Sequence, residues 1–197
     1  MSRVDSLKAR VDALYSYKNT SRAKGWADYL HTHHMSAVAQ TARQLAEKFG
    51  AGKDAVVAAA MLSDIADAVM AREDPRHDQE SMTIATSYLR ACAFTESEIF
   101  VIVGDAIKNH SCLDERSPET LEGKVFATAE AMVDLRSDFY DFAIGQLRTQ
   151  GETARDILHW GLERVDRDFN KKIFFPEVKE GLRPDYERSR RRFADLK

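Results

Sequence analysis

Cysteine and proline are scarce in this sequence: of its 197 residues, two are cysteine and four are proline. Cys92 and Cys112 lack metal-ligand spacing, and two cysteines in a chain of this size do not make a disulfide framework, so we expect reduced thiols. So few prolines among long stretches of apolar periodicity leave no candidate for a linker. We therefore expect a single domain over residues 1–197, in which folding buries roughly 70% of the unfolded surface.

Long apolar runs and a strong net charge are also absent. No segment approaches the ~18 to 20 apolar residues of a membrane span, and the N-terminus lacks the apolar stretch of a signal peptide. These absences predict a cytoplasmic protein that binds no membrane. The formal net charge of -3 gives no reason to expect nucleic-acid binding. The basic cluster at 188–192 is interleaved with acids at 185, 187 and 195, so we interpret it as a charged helix face.

Apolar residues recur at helical spacing almost everywhere, and no segment alternates long enough to indicate a strand. The sequence therefore predicts an all-α helical bundle. A first helix is marked by Val4, Leu7, Val11 and Leu14, and further helices are predicted over 26–49, 54–70, 79–92, 96–109, 117–135, 140–147, 153–170 and 186–193. A Thr95-x-x-Glu98 capping box and a Ser117 N-cap before Pro118 indicate two of the helix starts. The apolar stretch 56–62 predicts a central buried helix.

Histidines and acids carry the chemical signal. The six histidines are at positions 31, 33, 34, 77, 110 and 159. His31 and His34 are three residues apart and share a helical face, and so do Asp64 and Asp67. Taken singly, a histidine at a helix end or an acid on a helix surface is ordinary solvated structure. Their flanking sequences make them candidates for a metal site.

Short motifs around these histidines and acids follow one another along the chain. His34 lies four residues before Val38, and the apolar stretch ending in Met61-Leu62 leads into Ser63-Asp64. Further along are His77 before Glu80-Ser81-Met82, His110 after Ile107-Lys108-Asn109, and Glu130 between two alanines. In order, spacing and apolar flanks, residues 26–135 resemble the HD superfamily of metal-dependent phosphohydrolases, with 136–197 as a C-terminal helical extension. Ser63 stands where the family has histidine, and Glu130 where it has aspartate.

The resemblance implies a metal site. His34, Asp64 and Glu130, with residue 63, would hold a first divalent ion, and Asp64 would bridge to a second ion held by His77 and His110. Imidazole and carboxylate ligands suit Mn, Fe, Co, Ni or Zn.

Ser63 removes one strong ligand from this implied site. His31 could replace it, water held by Ser63 could fill its place, or the first ion could be weakly bound or lost. By position, Asp64 and Asp67 would be the catalytic acids, and Lys108 and Arg76 would bind substrate phosphate.

The expected function is therefore hydrolysis of a phosphate ester, such as a nucleotide, with one or two metal ions. An alternative is a catalytically impaired HD-domain protein that binds a small phosphorylated molecule or acts as a regulatory module. A third is a diiron oxygenase, since extra histidines also occur in that branch of the superfamily, although such a centre needs six good ligands. Four apolar residues of the extension would either anchor it to the core or form a homodimer contact: Phe169, Ile173, Phe174 and Phe175.

Overall fold

The computed structural model describes residues 1–17 and 25–196. Within these two ranges the regular structure is helical and contains no strand, which confirms the all-α prediction. None of the helices in the described part of the chain combines the length and the apolar character needed to cross a membrane.

The helices follow one another closely along the chain. They are α1 Arg3–Ser16, α2 Trp26–Tyr29, α3 Met35–Phe49, α4 Lys53–Leu62, α5 His77–Ala91, α6 Glu96–Ile99, α7 Leu121–Arg136, α8 Phe139–Thr149, α9 Ala154–Asn170, α10 Pro176–Gly181 and α11 Arg183–Ala194. A π-helical segment, Leu30–His34, joins α2 to α3, and a second, Phe100–Ile107, extends α6. A 3-10 turn, Ile65–Ala68, follows α4.

Helix α4 lies at the centre of the first of two apolar clusters. Its residues 56–62 are all buried, as the sequence predicts. The apolar faces of α1, α3, α5, α7 and the second π-helical segment pack around it. Alanines at 58–60 leave room for this close approach, because their side chains add little volume.

The second apolar cluster joins the C-terminal half of α7 to the extension. Ala131 and Leu135 of α7 pack there with Trp26 and with apolar residues of α8, α9 and α11. Phe169 and Ile173 are buried in it, and the ring of Phe175 stacks on Phe49 at 3.8 Å between centroids. These side chains therefore anchor the extension to the core. Helix α7 belongs to both clusters and connects them.

Three predicted helix boundaries are wrong by three residues or more, and one of them is the start of the last helix, predicted at 186 and observed at Arg183. The helix predicted over 54–70 ends at Leu62, and the chain turns before the 3-10 segment. The helix predicted from Ser117 begins at Leu121, and the Thr120 hydroxyl caps it by accepting the Gly123 N–H at 3.0 Å. The cause is Asp105, whose carboxylate accepts the N–H groups of residues 119 and 120 and holds this segment out of the helix. The capping box at Thr95 is confirmed.

A substitution at Gly161 tests how closely α9 packs against α11. A methyl group at this position would overlap the ring of Phe193. We expect Gly161→Ala to lower the free energy of unfolding by roughly 1–3 kcal/mol through overpacking, measured by urea denaturation. Gly145→Ala in α8 is the matched control, because nothing lies within 4 Å of the added methyl. That control should raise stability by up to ~1 kcal/mol through helix propensity, and equal effects of the two variants would contradict the packing.

Candidate metal centre

Three of the predicted site residues converge after α4. Asp64, Asp67 and His77 each offer a ligand atom, these atoms lie within 4.8 Å of one another, and the group could hold a metal ion. The 3-10 turn aligns the two acids, because it has three residues per turn; the Asp67 N–H donates to the Asp64 carbonyl at 3.0 Å. His77 is the first residue of α5, and its Nε2 lies 3.0 Å from Oδ1 of Asp67.

Arg72 bonds to both acids of this group. Its Nη1 lies 2.5 Å from Oδ2 of Asp67, its Nη2 lies 3.2 Å from Oδ1 of Asp64, and its guanidinium stands over the Trp26 ring at 5.6 Å. Burial opposes ionisation of Asp64, but the charges of Arg72 and His110 outweigh it and hold the pKa of Asp64 below its ordinary value. Asp64 is therefore an anion, and a metal ion would compete with Arg72 for it.

Asp64 also lines a cleft of about 210 Å³. The cleft is rich in cationic side chains, and its charged lining is Asp64, Arg72, Asp78, Lys108, Arg116 and Arg164, with His110 and Ser63 beside them. Guanidinium and ammonium groups converging beside a metal-ligand group suit a phosphate, because they can bind several of its oxygens at once. Of the two predicted substrate-binding residues, Lys108 lines this cleft. Arg76 does not, and its side chain is 78% exposed and paired with Asp74.

Glu130 is buried and already paired with a fixed cation. Lys172 Nζ, also buried, donates to its Oε2 at 2.6 Å, and His110 Nε2 lies 3.8 Å from the same oxygen. Burial opposes ionisation, but Lys172 outweighs it and holds the pKa of Glu130 far below its ordinary value. The carboxylate that the resemblance assigns to a first metal ion thus has the Lys172 ammonium as its counterion.

His34 is buried too, and faces an acid rather than a vacant ligand position. Its Nε2 lies 3.6 Å from Oδ1 of Asp134, and its Nδ1 has no hydrogen-bond partner within the described residues. Burial lowers the pKa of His34 to about 4, so the ring is neutral. His31 is held against α1, with its ring stacked on Tyr15 and its Nε2 3.0 Å from Asp12. The geometry gives no support to His31 as a replacement for the histidine missing at 63.

A network of buried charges surrounds Glu130. Arg164 lies 2.9 Å from Asp134 and 3.3 Å from Asp168, and Lys172 lies 3.5 Å from Asp168. These two cations bond to Glu130, Asp134 and Asp168, and the charge of Arg167 also acts on Asp168 and Glu130. Burial, followed by the charge of Asp168, raises the pKa of Asp134 to about 8, which identifies it as the protonated acid of the three.

The sequence interpretation did not include Arg72, Arg164 or Asp134 in the site. A signal for two of them exists in the helical spacing. Residues 164 and 168 form a charged stripe on α9, and Lys172 continues the same interval of four two residues beyond the end of that helix. Glu130 and Asp134 form an acidic pair on the buried C-terminal part of α7. Charges on a helix that is buried all round require buried partners of opposite sign. The cations of the charged stripe and the acidic pair of α7 are such partners for each other.

Removal of Lys172 tests whether Glu130 depends on it. We expect Lys172→Met to lower the free energy of unfolding by roughly 3–5 kcal/mol in urea denaturation, because it leaves a buried carboxylate without its main counterion. Adding Glu130→Gln should restore part of the loss. Lys48→Met is the control, because Lys48 is half exposed and lies 3.8 Å from Glu177, and we expect a change within ~1 kcal/mol. Equal losses for Lys172→Met and Lys48→Met would contradict the role of the pair.

The protonation of Asp134 predicts a pH-dependent stability. The unfolded chain releases this proton near pH 4, whereas the folded chain holds it until about pH 8. Its contribution is therefore fully present below about pH 4 and is lost as the pH rises through about 8. Asn carries no titrating proton, so the Tm of Asp134→Asn minus that of the wild type should grow between about pH 5 and pH 8. The comparison cancels the titration of the neighbours His34, Glu130 and Asp168. A difference independent of pH would show that Asp134 is ionised throughout.

Comparison with known proteins finds no matching family model, no similar curated protein and no similar solved structure. The resemblance to the HD superfamily therefore stays a prediction from the motifs. Any statement of function depends on the geometry of the triad and the cleft.

Proposed function

We propose that this chain is a metal-dependent phosphohydrolase that acts on a phosphate ester, such as a nucleotide, with a metal centre formed by Asp64, Asp67 and His77. The observation that carries the proposal is the convergence of these three ligand atoms within 4.8 Å, one of them on Asp64, which lines a cleft that arginine and lysine side chains also line. Two carboxylates and an imidazole suit Mn, Fe, Co, Ni or Zn.

The proposal uses one ion, because the residues implied for a first ion do not fit one. Glu130 is neutralised by Lys172, His34 faces Asp134, and Ser63 offers a neutral hydroxyl in place of imidazole. These contacts also count against the six-ligand diiron alternative.

The chain's own residues would bind and orient the substrate. A divalent ion held by the triad would polarise the phosphoryl group and lower the pKa of water to about 7. Lys108 and Arg116 would hold phosphoryl oxygens in the cleft. Nδ1 of His110 lies 2.6 Å from the Ile107 carbonyl, which can only accept, so Nδ1 carries a hydrogen and fixes the ring. The guanidinium of Arg72, once displaced from the two acids, would remain in the cleft wall beside the phosphate.

A second candidate is a binding module for a phosphorylated small molecule that hydrolyses nothing. The observation that favours it is the pair of bonds from Arg72 to Asp64 and Asp67, which neutralises the triad without a metal ion. In this case the cleft would bind the phosphate through its arginine and lysine side chains alone. Both candidate functions require the cleft to bind a phosphorylated molecule, but only the phosphohydrolase requires a metal ion.

Metal content separates the two candidates. Protein purified without chelators and then dialysed against Mn²⁺ should contain about one ion per chain by elemental analysis, as expected for a single ligand group. Asp64→Ala and His77→Gln should each lose it, together with phosphatase activity. Arg72→Met should bind Mn²⁺ about tenfold more tightly, because it removes the competing cation.

His159→Gln is the control for the histidine substitution. His159 is exposed and lies 3.4 Å from Glu163, far along the chain from the triad, so its loss should leave the metal content unchanged. Retention of the ion by both Asp64→Ala and His77→Gln would overturn the proposed centre. Absence of metal from the wild type, combined with binding of inorganic phosphate, would establish the binding module instead.

A further inference from the structure

The cationic cleft borders a larger groove. The cleft of about 210 Å³ and a second, open depression of about 730 Å³ share two wall residues, Met82 and Lys108. Lys108 is exposed at this junction and forms no salt bridge within the described residues. A molecule whose phosphate lies in the cleft can therefore extend into the groove past Lys108.

The groove has one polar wall and an apolar floor. Gln79, Thr83 and Ser87 are exposed on one face of α5 because they are four residues apart. The Thr83 hydroxyl donates to the Gln79 carbonyl at 2.9 Å, which leaves its oxygen free to accept a bond from a ligand. Met82 and Val103 add apolar surface. Hydroxyls beside apolar surface suit an organic group that carries its own hydroxyls.

The charge and the length of the groove further restrict which molecule it can bind. Among the described residues that line the groove none is a carboxylate, and the two cations are Lys108 and Arg90, the latter already bound to Glu96 at 2.8 Å. The groove therefore offers no site for a cationic group. The α5 segment from Gln79 to Arg90 is about 16 Å long at a helical rise of about 1.5 Å per residue. A small leaving group such as a methyl group would fill little of this length.

We propose that this groove binds the leaving group of the phosphate ester, and that this leaving group is an uncharged, hydroxyl-bearing molecule of up to nucleoside size. Thr83 and Ser87 contact its hydroxyls, and Lys108 binds the phosphate at the junction. The inference rests on the proposed function, because the cleft must hold the phosphate. It assigns specificity to α5, whose residues 83 and 87 lie outside the metal centre.

Phosphonate analogues test the groove, because their P–C bond is not hydrolysed. Methylphosphonate fills only the cleft, whereas a 5′-deoxynucleoside 5′-phosphonate also reaches the groove. With Mn²⁺ present, titration calorimetry should give at least about tenfold tighter binding of the longer analogue to the wild type. Thr83→Trp and Ser87→Trp should abolish this difference and leave methylphosphonate binding unchanged, since a bulky ring fills the groove and not the cleft.

Thr149→Trp is the matched control, because Thr149 is also an exposed helical threonine whose hydroxyl donates to its own helix, to the Gln146 carbonyl at 2.7 Å. Thr149→Trp should retain the tenfold difference in affinity between the two analogues. Equal binding of the two analogues to the wild type, or a difference that survives both groove variants, would overturn the inference and leave the proposed function standing. Failure of methylphosphonate and of inorganic phosphate to bind at all would overturn both.

Discussion

The ion pair between Lys172 and Glu130 is the contact on which the arrangement of this molecule depends. It joins α7 to the segment that follows α9, and both side chains are buried. Thr128, half a turn before Glu130, holds that segment in place: its hydroxyl donates to the Lys172 carbonyl and accepts the Phe174 N–H, each at 3.1 Å. Taking the two charges out of water is costly, and their close pairing and shared neighbours offset that cost. The pair also bears on the chemistry, because it commits Glu130 to an internal cation, whereas the Asp64, Asp67 and His77 group could hold a metal ion.

Much of the fold follows from local sequence rules. The apolar stretch 56–62 and the capping box at Thr95 act within a few residues, so the buried helix α4 and the start of α6 could be predicted. The start of α7 could not, because Asp105, distant in sequence, captures the N–H groups before Leu121 and overrides the Ser117 signal. The π-helical segments were missed for a related reason, since such bulges arise from packing and have no simple residue preference.

Part of the candidate site could likewise be predicted from the sequence, and part of it could not. The resemblance implied Asp64 and His77 as metal ligands, and Asp67 was predicted as a catalytic residue from its position one turn beyond Asp64. The structure brings the three together, although through a 3-10 turn rather than the α-helical turn expected. Arg72 gave no signal, because an arginine in a polar loop is ordinary and its bonds to the acids depend on how the loop folds back. Lys172 lies in a pair of lysines, and only the tertiary structure distinguishes it from its neighbour: Lys172 is 1% exposed.

The position of Arg72 has a consequence for spectroscopy. Its guanidinium stands 5.6 Å from the centre of the Trp26 indole while it bonds to the two acids of the triad. A cation near an indole ring alters the energy of its excited state, so the fluorescence of Trp26 depends on where Arg72 lies. Trp26 is therefore an optical reporter for the candidate metal centre: an ion that displaced Arg72 from Asp64 and Asp67 would also change the electric field at the indole.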